Sequence, residues 1–145
     1  MYKFFGKRVL DIAISLWTLI IVSPLLAVIS IILLVHTRKS PFFFQTRVGY
    51  RGKLFRVFKF KTLTDARDSE GLLLPDDLRS FPLGTFLRRY SLDELPQLVN
   101  IIKGDMSIVG PRPWIPEQLD VFPGRCRMAR CSVRPGLTGM AQVYG

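Results

Sequence analysis

The chain has few of the residues that most often hold transition metals or act as nucleophiles. Its 145 residues include one histidine, His36, and two cysteines, Cys126 and Cys131, which are five positions apart. That spacing is not typical of a zinc site, and a lone histidine beside an apolar segment gives no support to a Ser-His-Asp arrangement. We therefore interpret the cysteines as ordinary thiols of a reducing compartment.

Acidic residues are also scarce. The chain has 11 Asp and Glu against 21 Lys and Arg, which gives a net charge of +10. Such a surplus favours a polyanionic partner, namely nucleic acid, anionic lipid or a phosphorylated substrate. Disorder is not expected, because 48% of the residues are hydrophobic.

A long apolar run covers residues 16–35, where 20 consecutive residues are uncharged. A helix of that length is about 30 Å long, which matches the hydrocarbon core of a bilayer. Ser23-Pro24 lies near its middle, where proline removes a hydrogen bond and bends a helix, and the freed carbonyl would need Ser23 or water as a partner. Both flanks are basic, so both should stay on the cytoplasmic side. The sequence predicts a broken, re-entrant membrane helix over residues 1–38, with a spanning helix or a long core helix as alternatives.

The remaining chain predicts an α+β fold that is mostly helical. Residues 42–61 have the pattern of a short β-hairpin with basic and aromatic strands, which suits single-stranded nucleic acid, a membrane interface or a phosphate. Residues 64–82 predict a short helix and a surface loop, and residues 83–90 predict an interfacial amphipathic helix. Residues 116–131 predict a helix with a break at Pro123-Gly124.

Two adjacent carboxylates, Asp93 and Glu94, precede an apolar pattern of helical spacing that stops at Gly104. If Ser91 is the N-cap, both carboxylates lie in the first turn, where the helix dipole favours the ionised form. An ionised carboxylate is what a nucleophile or a Mg²⁺ ligand must be. The alternative is a capping box made by Ser91 and Glu94. Pro96 predicts that this turn is bent.

Three arginine-bearing motifs accompany the acidic pair. Arg88 comes shortly before it, Arg112 lies in a rigid Gly-Pro-Arg-Pro loop, and Arg134 begins a second rigid turn over residues 134–139. Arginine forks suit phosphate oxygens. The sequence therefore suggests an anion site with a carboxylate at its centre, although Arg88 is equally suited to a solvated turn or an ion pair with the acidic residues.

Together these motifs resemble the monotopic phosphoglycosyl transferases, bacterial sugar transferases that act on polyprenyl phosphate. The shared phrases are Ser23-Pro24, Lys-Phe-Lys-Thr at 59–62, Ser-Leu-Asp-Glu-Leu-Pro-Gln-Leu at 91–98, Lys-Gly-Asp-Met-Ser at 103–107, Gly-Pro-Arg-Pro at 110–113 and Arg-Pro-Gly-Leu-Thr-Gly at 134–139. The likeness covers nearly the whole chain. Leu63 and Met140 replace residues that are commoner in the family.

The resemblance implies transfer of a sugar 1-phosphate from a nucleotide sugar, by family habit a UDP sugar, to polyprenyl (undecaprenyl) phosphate, with release of the nucleoside monophosphate. This is the first membrane step in the assembly of bacterial glycans such as exopolysaccharide or lipopolysaccharide. The implied place is the inner membrane, with residues 39–145 as an interfacial catalytic domain on the cytoplasmic face. Membrane lipids are expected partners, nucleic acid is not, and a homo-oligomer is left open.

Residue roles follow from the same resemblance. Asp93 would be the nucleophile that forms a covalent aspartyl intermediate, and Glu94 together with Asp93 would hold Mg²⁺. The residues expected to bind substrate phosphates are Lys59, Arg88, Arg112 and Arg134.

Two other functions compete with this one, besides a nucleic-acid-binding module, which would use the net charge of +10 but gives the apolar run and the carboxylates no role. A conventional metal-dependent glycosyltransferase commonly carries Asp-x-Asp, which this sequence lacks. Family members usually continue past the position of residues 141–143, so the resemblance implies that the C-terminal part of the family domain is missing. A truncated, catalytically incompetent or scaffolding membrane protein is therefore the second alternative.

Overall fold

The computed structural model describes residues 2–118 and 124–140. The α-helices are α1 Tyr2–Thr37, α2 Asp76–Arg79, α3 Pro82–Arg89, α4 Leu98–Lys103 and α5 Gly124–Cys131. The strands are β1 Phe42–Val48, β2 Leu54–Phe60, β3 Ser107–Val109 and β4 Gly136–Thr138. The 3₁₀ turns are Tyr50–Gly52, Leu92–Gln97 and Pro116–Gln118. The predicted mostly helical fold with one short hairpin, formed by β1 and β2, is confirmed. Pro123 and residues 141–143, for which the sequence made predictions, lie outside the described residues.

Contacts between residues divide the chain into two compact units. The first unit comprises Met1–Ser23, Phe44–Phe58 and Gln97–Gly145, and the second comprises Pro24–Phe43 and Lys59–Pro96. Each unit therefore contains part of α1 and part of the hairpin. The predicted division into residues 1–38 and 39–145 stays a prediction, although α1 ends at Thr37.

Helix α1 is not interrupted at Ser23-Pro24, where the sequence predicted a break. Pro24 has no N–H to donate to the carbonyl of Ile20, four residues earlier. The hydroxyl of Ser23 donates to that carbonyl oxygen at 2.8 Å, so the predicted role of Ser23 as the replacement partner is confirmed. This hydrogen bond lets the helix continue past the proline, and the re-entrant course stays a prediction.

The apolar surface of α1 is largely uncovered. Among the described residues, Phe5–Thr37 is the one helix long and apolar enough to cross a membrane, with a mean hydropathy of 2.9. Only 11% of its apolar window is buried, whereas a core helix of a soluble protein would be mostly buried. The low burial therefore argues against the core-helix alternative and for contact with lipid.

The core of the first unit forms around α4. Leu98, Ile101 and Met106 are buried there. Asn100 is fully buried and links α4 to β2, because its side-chain amide donates to the carbonyl of Arg56 at 2.7 Å and its side-chain oxygen accepts from the amide of Phe58 at 3.0 Å. These bonds satisfy a buried polar group and fix the helix against the strand.

A parallel pair of short strands, β3 and β4, completes the first unit. Ser107 is in register with Gly136, and Val109 with Thr138. The sequence predicted a rigid turn over residues 134–139, and the structure corrects this to a strand. Gly110 and Gly136 make the close approach feasible, since an added Cβ on Gly136 would lie 2.1 Å from the nitrogen of Gly110.

The second unit has its own core. Its buried members are Ile29, Leu33, Phe60, Phe81 and Leu87. The predicted short helix and the predicted amphipathic helix are α2 and α3. The interfacial position of α3 stays a prediction.

Candidate active site

Asp93 and Glu94 lie in the 3₁₀ turn Leu92–Gln97 and not in the first turn of an α-helix. Ser91 takes the left-handed conformation with φ of 55°, and Pro96 cannot donate a main-chain hydrogen bond. The bend that Pro96 predicted is therefore this 3₁₀ turn. Regular α-helix begins only at Leu98. It ends at Lys103 with Gly104 as the C-cap, where the sequence predicted the stop.

A capping box does not explain the acidic pair. The amide of Ser91 donates to the carbonyl of Arg88 at 3.1 Å, and the carboxylate of Glu94 accepts from Lys59. In a capping box these two groups, the Ser91 amide and the Glu94 carboxylate, would bond each other. The capping-box alternative is therefore wrong, because the Glu94 carboxylate and the Ser91 amide have other partners. The carboxylate of Glu94 contacts the ammonium of Lys59 instead.

The Lys59–Glu94 ion pair is the central contact of the site. The ammonium nitrogen of Lys59 lies 2.5 Å from Oε1 of Glu94, and the two side chains are 20% and 25% exposed. Lys59 is near the end of β2, next to the buried Phe60. Because the pair is largely shielded from water, its attraction is stronger than that of a surface ion pair.

Asp93 is the most buried group of the site, with 8% of the residue exposed. Burial raises the pKa of its carboxyl above the ordinary value, more than the positive charge of Lys59 lowers it, and the neighbouring charge of Glu94 raises it further. The sequence predicted that a helix dipole would favour the ionised form, but Asp93 is not in the first turn of an α-helix, and desolvation disfavours that form. A poorly hydrated carboxylate is costly to form and a strong nucleophile once formed.

Arg88 is held in the second unit by contacts that the sequence did not predict. Its Nε donates to the hydroxyl of Thr62 at 2.9 Å, and its guanidinium lies 3.6 Å from the carboxylate of Asp76. The predicted alternative of an ion pair with Asp93 or Glu94 is thus replaced by one with Asp76. Arg88 is still near enough to lower the pKa of Asp93.

A glycine explains how α3 reaches this position. An added Cβ on Gly84 would lie 2.2 Å from the carbonyl oxygen of Thr62. Only glycine allows α3 to pack so closely on the chain that follows β2, and the packing brings Arg88 to Thr62. The Lys-Phe-Lys-Thr motif, which ends at Thr62, was visible in the sequence. The contact between Thr62 and Arg88 could not be predicted from the sequence alone.

The other two predicted phosphate-binding residues belong to the first unit. Arg112 is exposed, and its main-chain carbonyl accepts a hydrogen bond from Arg130 at 3.2 Å. Arg134 donates from Nε to the carbonyl of Gly104 at 2.9 Å and lies over the ring of Tyr50. The structure thus brings together four of the predicted residues, namely Lys59, Arg88, Asp93 and Glu94, within the second unit. A common site that also includes Arg112 and Arg134 stays a prediction.

The donor set suits Mg²⁺ better than a transition metal. In the part of the chain that the structure describes, no group of three or more His, Cys, Asp or Glu side chains could hold a metal ion. Mg²⁺ needs no such group, since it is usually held by one or two carboxylates together with substrate phosphates and water. Asp93 and Glu94 offer that set, and the attraction of Lys59 for Glu94 would compete with the metal.

The site thus combines a buried carboxylate with a Lys–Glu ion pair and an arginine. The chain matches the family of bacterial sugar transferases over residues 2–145 and belongs to that family. The family expected from the sequence motifs is thereby confirmed.

Named relatives are similar over almost all of this chain. The uncharacterized sugar transferase EpsL of Bacillus subtilis is 40% identical, over 96% of this chain and 68% of its own length. The UDP-glucose:undecaprenyl-phosphate glucose-1-phosphate transferase of Klebsiella pneumoniae is 38% identical, over 96% of this chain and 31% of its own length. The UDP-N-acetylgalactosamine-undecaprenyl-phosphate N-acetylgalactosaminephosphotransferase of Aeromonas hydrophila is 34% identical, over 96% of this chain and 34% of its own length. The chain thus spans about two thirds of the first relative and about a third of the other two.

Proposed function

We propose that the protein transfers a sugar 1-phosphate from a nucleotide sugar, a UDP sugar by analogy with its relatives, to undecaprenyl phosphate. The names of the relatives from Klebsiella and Aeromonas describe this type of reaction. The single observation that carries the proposal is the placement of a buried carboxylate, Asp93, directly beside the Lys59–Glu94 ion pair. The proposed setting is the cytoplasmic face of the bacterial inner membrane.

The proposed reaction has two steps at Asp93. In the first, a carboxylate oxygen attacks the phosphorus that carries the sugar, the bond from that phosphorus to the nucleoside phosphate breaks, and the nucleoside monophosphate leaves. In the second, a phosphate oxygen of undecaprenyl phosphate attacks the same phosphorus, and the Asp93 carboxylate leaves. Lys59 and Arg88 reduce the repulsion between the carboxylate and the phosphates.

Mg²⁺ would be held by Glu94 and Asp93 and would supply neutralisation of phosphate charge. Each step replaces one phosphorus–oxygen bond with another, so no oxidant or reductant is needed. Splitting a hard transfer into two displacements on a reactive acyl phosphate is the general advantage of covalent catalysis.

The identity of the released nucleotide tests the proposed reaction class. With a panel of UDP sugars and undecaprenyl phosphate, we expect the full-length protein to release UMP. A conventional glycosyltransferase would release UDP, because it leaves both phosphates on the nucleotide. A binding or scaffolding protein would release neither nucleotide while still folding and associating with membranes.

The metal requirement is tested by chelation. Excess EDTA is expected to abolish turnover, and added Mg²⁺ is expected to restore it, with Mn²⁺ as a weaker substitute because it also accepts oxygen ligands. A zinc-selective chelator serves as the control and should have no effect. Full turnover in excess EDTA would contradict a role for divalent metal.

The re-entrant course of α1 has support within each unit. In the first unit Lys7 contacts Ser107, and Arg8 donates to the carbonyls of Ile102 and Met106. In the second unit the ring of His36, near the other end of α1, contacts Phe81. Each end of the helix therefore contacts residues of its own unit that follow α1 in the chain, as a re-entrant course requires.

Cysteine labelling tests this topology. In a Cys126→Ser/Cys131→Ser background, single cysteines at Gly6 and Lys53, which are both exposed, should be protected from an impermeant reagent in intact cells. Both should react once the cells are opened, because both positions are expected in the cytoplasm. Labelling of Gly6→Cys from outside, with Lys53→Cys protected, is the pattern of a spanning helix and would exclude the re-entrant course.

A further inference from the structure

A cavity of about 310 Å³ lies in the first unit, beside the first turns of α1. Its charged lining consists of Lys7, Arg8, Asp11 and Arg134. The volume is in the range of small-ligand sites. The proposed reaction at Asp93 gives this cavity no role.

The single carboxylate of this lining is already neutralised. Asp11 is 6% exposed and lies 3.0 Å from the ammonium of Lys7. It also accepts hydrogen bonds from the hydroxyl of Ser107 at 2.7 Å and from the amide of Ile108 at 3.4 Å. Asp11 therefore offsets Lys7 and, together with Asp105, partly offsets Arg8. The lining still carries three basic side chains against one carboxylate.

Among the described residues, the two guanidinium groups donate hydrogen bonds to neutral oxygens of the main chain. Arg8 donates to the carbonyls of Ile102 and Met106 at 3.2 and 3.4 Å, and Arg134 donates to the carbonyl of Gly104 at 2.9 Å. These bonds hold both side chains in place and, within residues 2–118 and 124–140, occupy only part of the N–H donors of each fork. The two positive charges repel each other across the cavity, and an anion between them would remove that repulsion.

The surroundings of the cavity are apolar. Val109 and Val133 complete part of its lining, and both are exposed. Phe5 on the adjoining turn of α1 is 75% exposed and begins the long apolar surface of that helix. A ligand that fits both the two arginines and this surface has an anionic head and a hydrocarbon chain.

We infer that this cavity binds the phosphate group of a membrane lipid, with the phosphate between Arg8 and Arg134 and the hydrocarbon chain along α1. Two lipids carry that chemistry, an anionic glycerophospholipid and a polyprenyl phosphate. The first would anchor the N-terminal end of α1 at the membrane surface. The second would hold the acceptor lipid of the proposed reaction, and only that case rests on the proposed function.

Ser132 offers a variant that changes the charge of the cavity without touching its framework. It lines the cavity and is exposed, and its hydroxyl donates to the nearby carbonyl of Ala129. Ser132→Asp places a negative charge beside the expected phosphate. Ser132→Asn introduces a neutral side chain of the same size as that of aspartate. Neither variant removes the bonds of Arg8 or Arg134, so both are expected to fold. Lys53→Gln, on an exposed turn outside the cavity, controls for net charge.

The test is ligand-dependent thermal stability of the full-length protein in a neutral detergent, which requires no turnover and is therefore independent of the proposed reaction. The ligands are dioctanoyl phosphatidylglycerol, a short-chain polyprenyl phosphate and inorganic phosphate. We expect a phosphate-bearing lipid to raise the unfolding midpoint of the wild type, Ser132→Asn and Lys53→Gln. Its dissociation constant should be at least about fivefold weaker for Ser132→Asp, because of charge repulsion.

Comparison of the two lipids identifies the source of the phosphate. The ligand is the lipid that binds the wild type more tightly and whose binding is weakened by Ser132→Asp but not by Ser132→Asn. Equal dissociation constants for Ser132→Asp and Ser132→Asn with both lipids would place the phosphate elsewhere and overturn the inference. Inorganic phosphate that binds as tightly as either lipid would overturn the role of the hydrocarbon chain. These results do not depend on whether Asp93 is a nucleophile.

Discussion

Replacement of Asp93 by Asn is expected to lower turnover by about a thousandfold or more while leaving the fold intact. The amide keeps the size of the side chain and removes the oxygen that attacks phosphorus in the proposed mechanism. If Asp93 only stabilised its turn, turnover would be largely preserved. The measurement is release of nucleoside monophosphate by the purified full-length variant, with circular dichroism as the check on folding.

The free energy of unfolding of Asp93→Asn also distinguishes a nucleophile from a residue that only stabilises its turn. Burial raises the pKa of Asp93, so the folded state binds its proton more tightly than the unfolded state does. Stability contributed by this group is therefore present below the unfolded pKa and is lost as pH rises through the folded pKa. At neutral pH, Asp93→Asn should leave the free energy of unfolding unchanged or increase it. A capping role predicts a loss of about 1 kcal/mol instead.

A matched control for this substitution is Asp77→Asn. Asp77 is exposed, lies in the first turn of α2 and belongs to the second unit, as Asp93 does. We expect this control to retain normal turnover. An Asp93→Asn enzyme within tenfold of the wild type would remove Asp93 from the mechanism.

Glu94→Gln is expected to have the second largest effect, a loss of about a hundredfold or more in turnover. The substitution removes one of two carboxylates available to Mg²⁺ and breaks the ion pair with Lys59. Lys59 would then be free to pair with Asp93, whose pKa would fall because the repulsion by Glu94 is gone and the ammonium is closer. A carboxylate paired in this way is a weaker nucleophile.

Metal dependence distinguishes these two consequences of Glu94→Gln. Partial recovery at high Mg²⁺ is expected if weakened metal binding is the main loss, whereas Asp93→Asn should show no recovery. Glu70→Gln, at an exposed position of the second unit, is the control for loss of one carboxylate. Normal turnover of Glu94→Gln at ordinary Mg²⁺ would contradict a role for this residue.

The elements with strong local signals were predictable from the sequence. Three such elements depend on residues close together in the chain, and the structure contains all three. They are the helix over the apolar run 16–35, the hairpin, and the end of α4 at Gly104. The predicted break in α1 at Ser23-Pro24 was wrong, and the cause is also local. A proline predicts a broken helix, but the hydroxyl of Ser23 replaces the hydrogen bond that Pro24 removes.

Features that depend on distant parts of the chain could not be predicted. The pairing of β3 with β4 joins three-residue segments that carry no strand pattern, and the Lys59–Glu94 ion pair joins residues 35 positions apart. The raised pKa of Asp93 was missed for the same reason, because burial is a property of packing. Thus Asp93 and Glu94 were predicted as site residues from local sequence, while their contacts with Lys59 and Arg88 required the fold.

The central claim is that Asp93 becomes covalently attached to the sugar phosphate. The full-length protein should be incubated with a nucleotide sugar that carries ³²P in the phosphate next to the sugar, without undecaprenyl phosphate, and then digested and analysed by mass spectrometry. We expect label on the peptide that contains Asp93, release of that label when undecaprenyl phosphate is added, and no label in Asp93→Asn. Label on a different residue, or turnover with no labelled protein under conditions that preserve acyl phosphates, would contradict it.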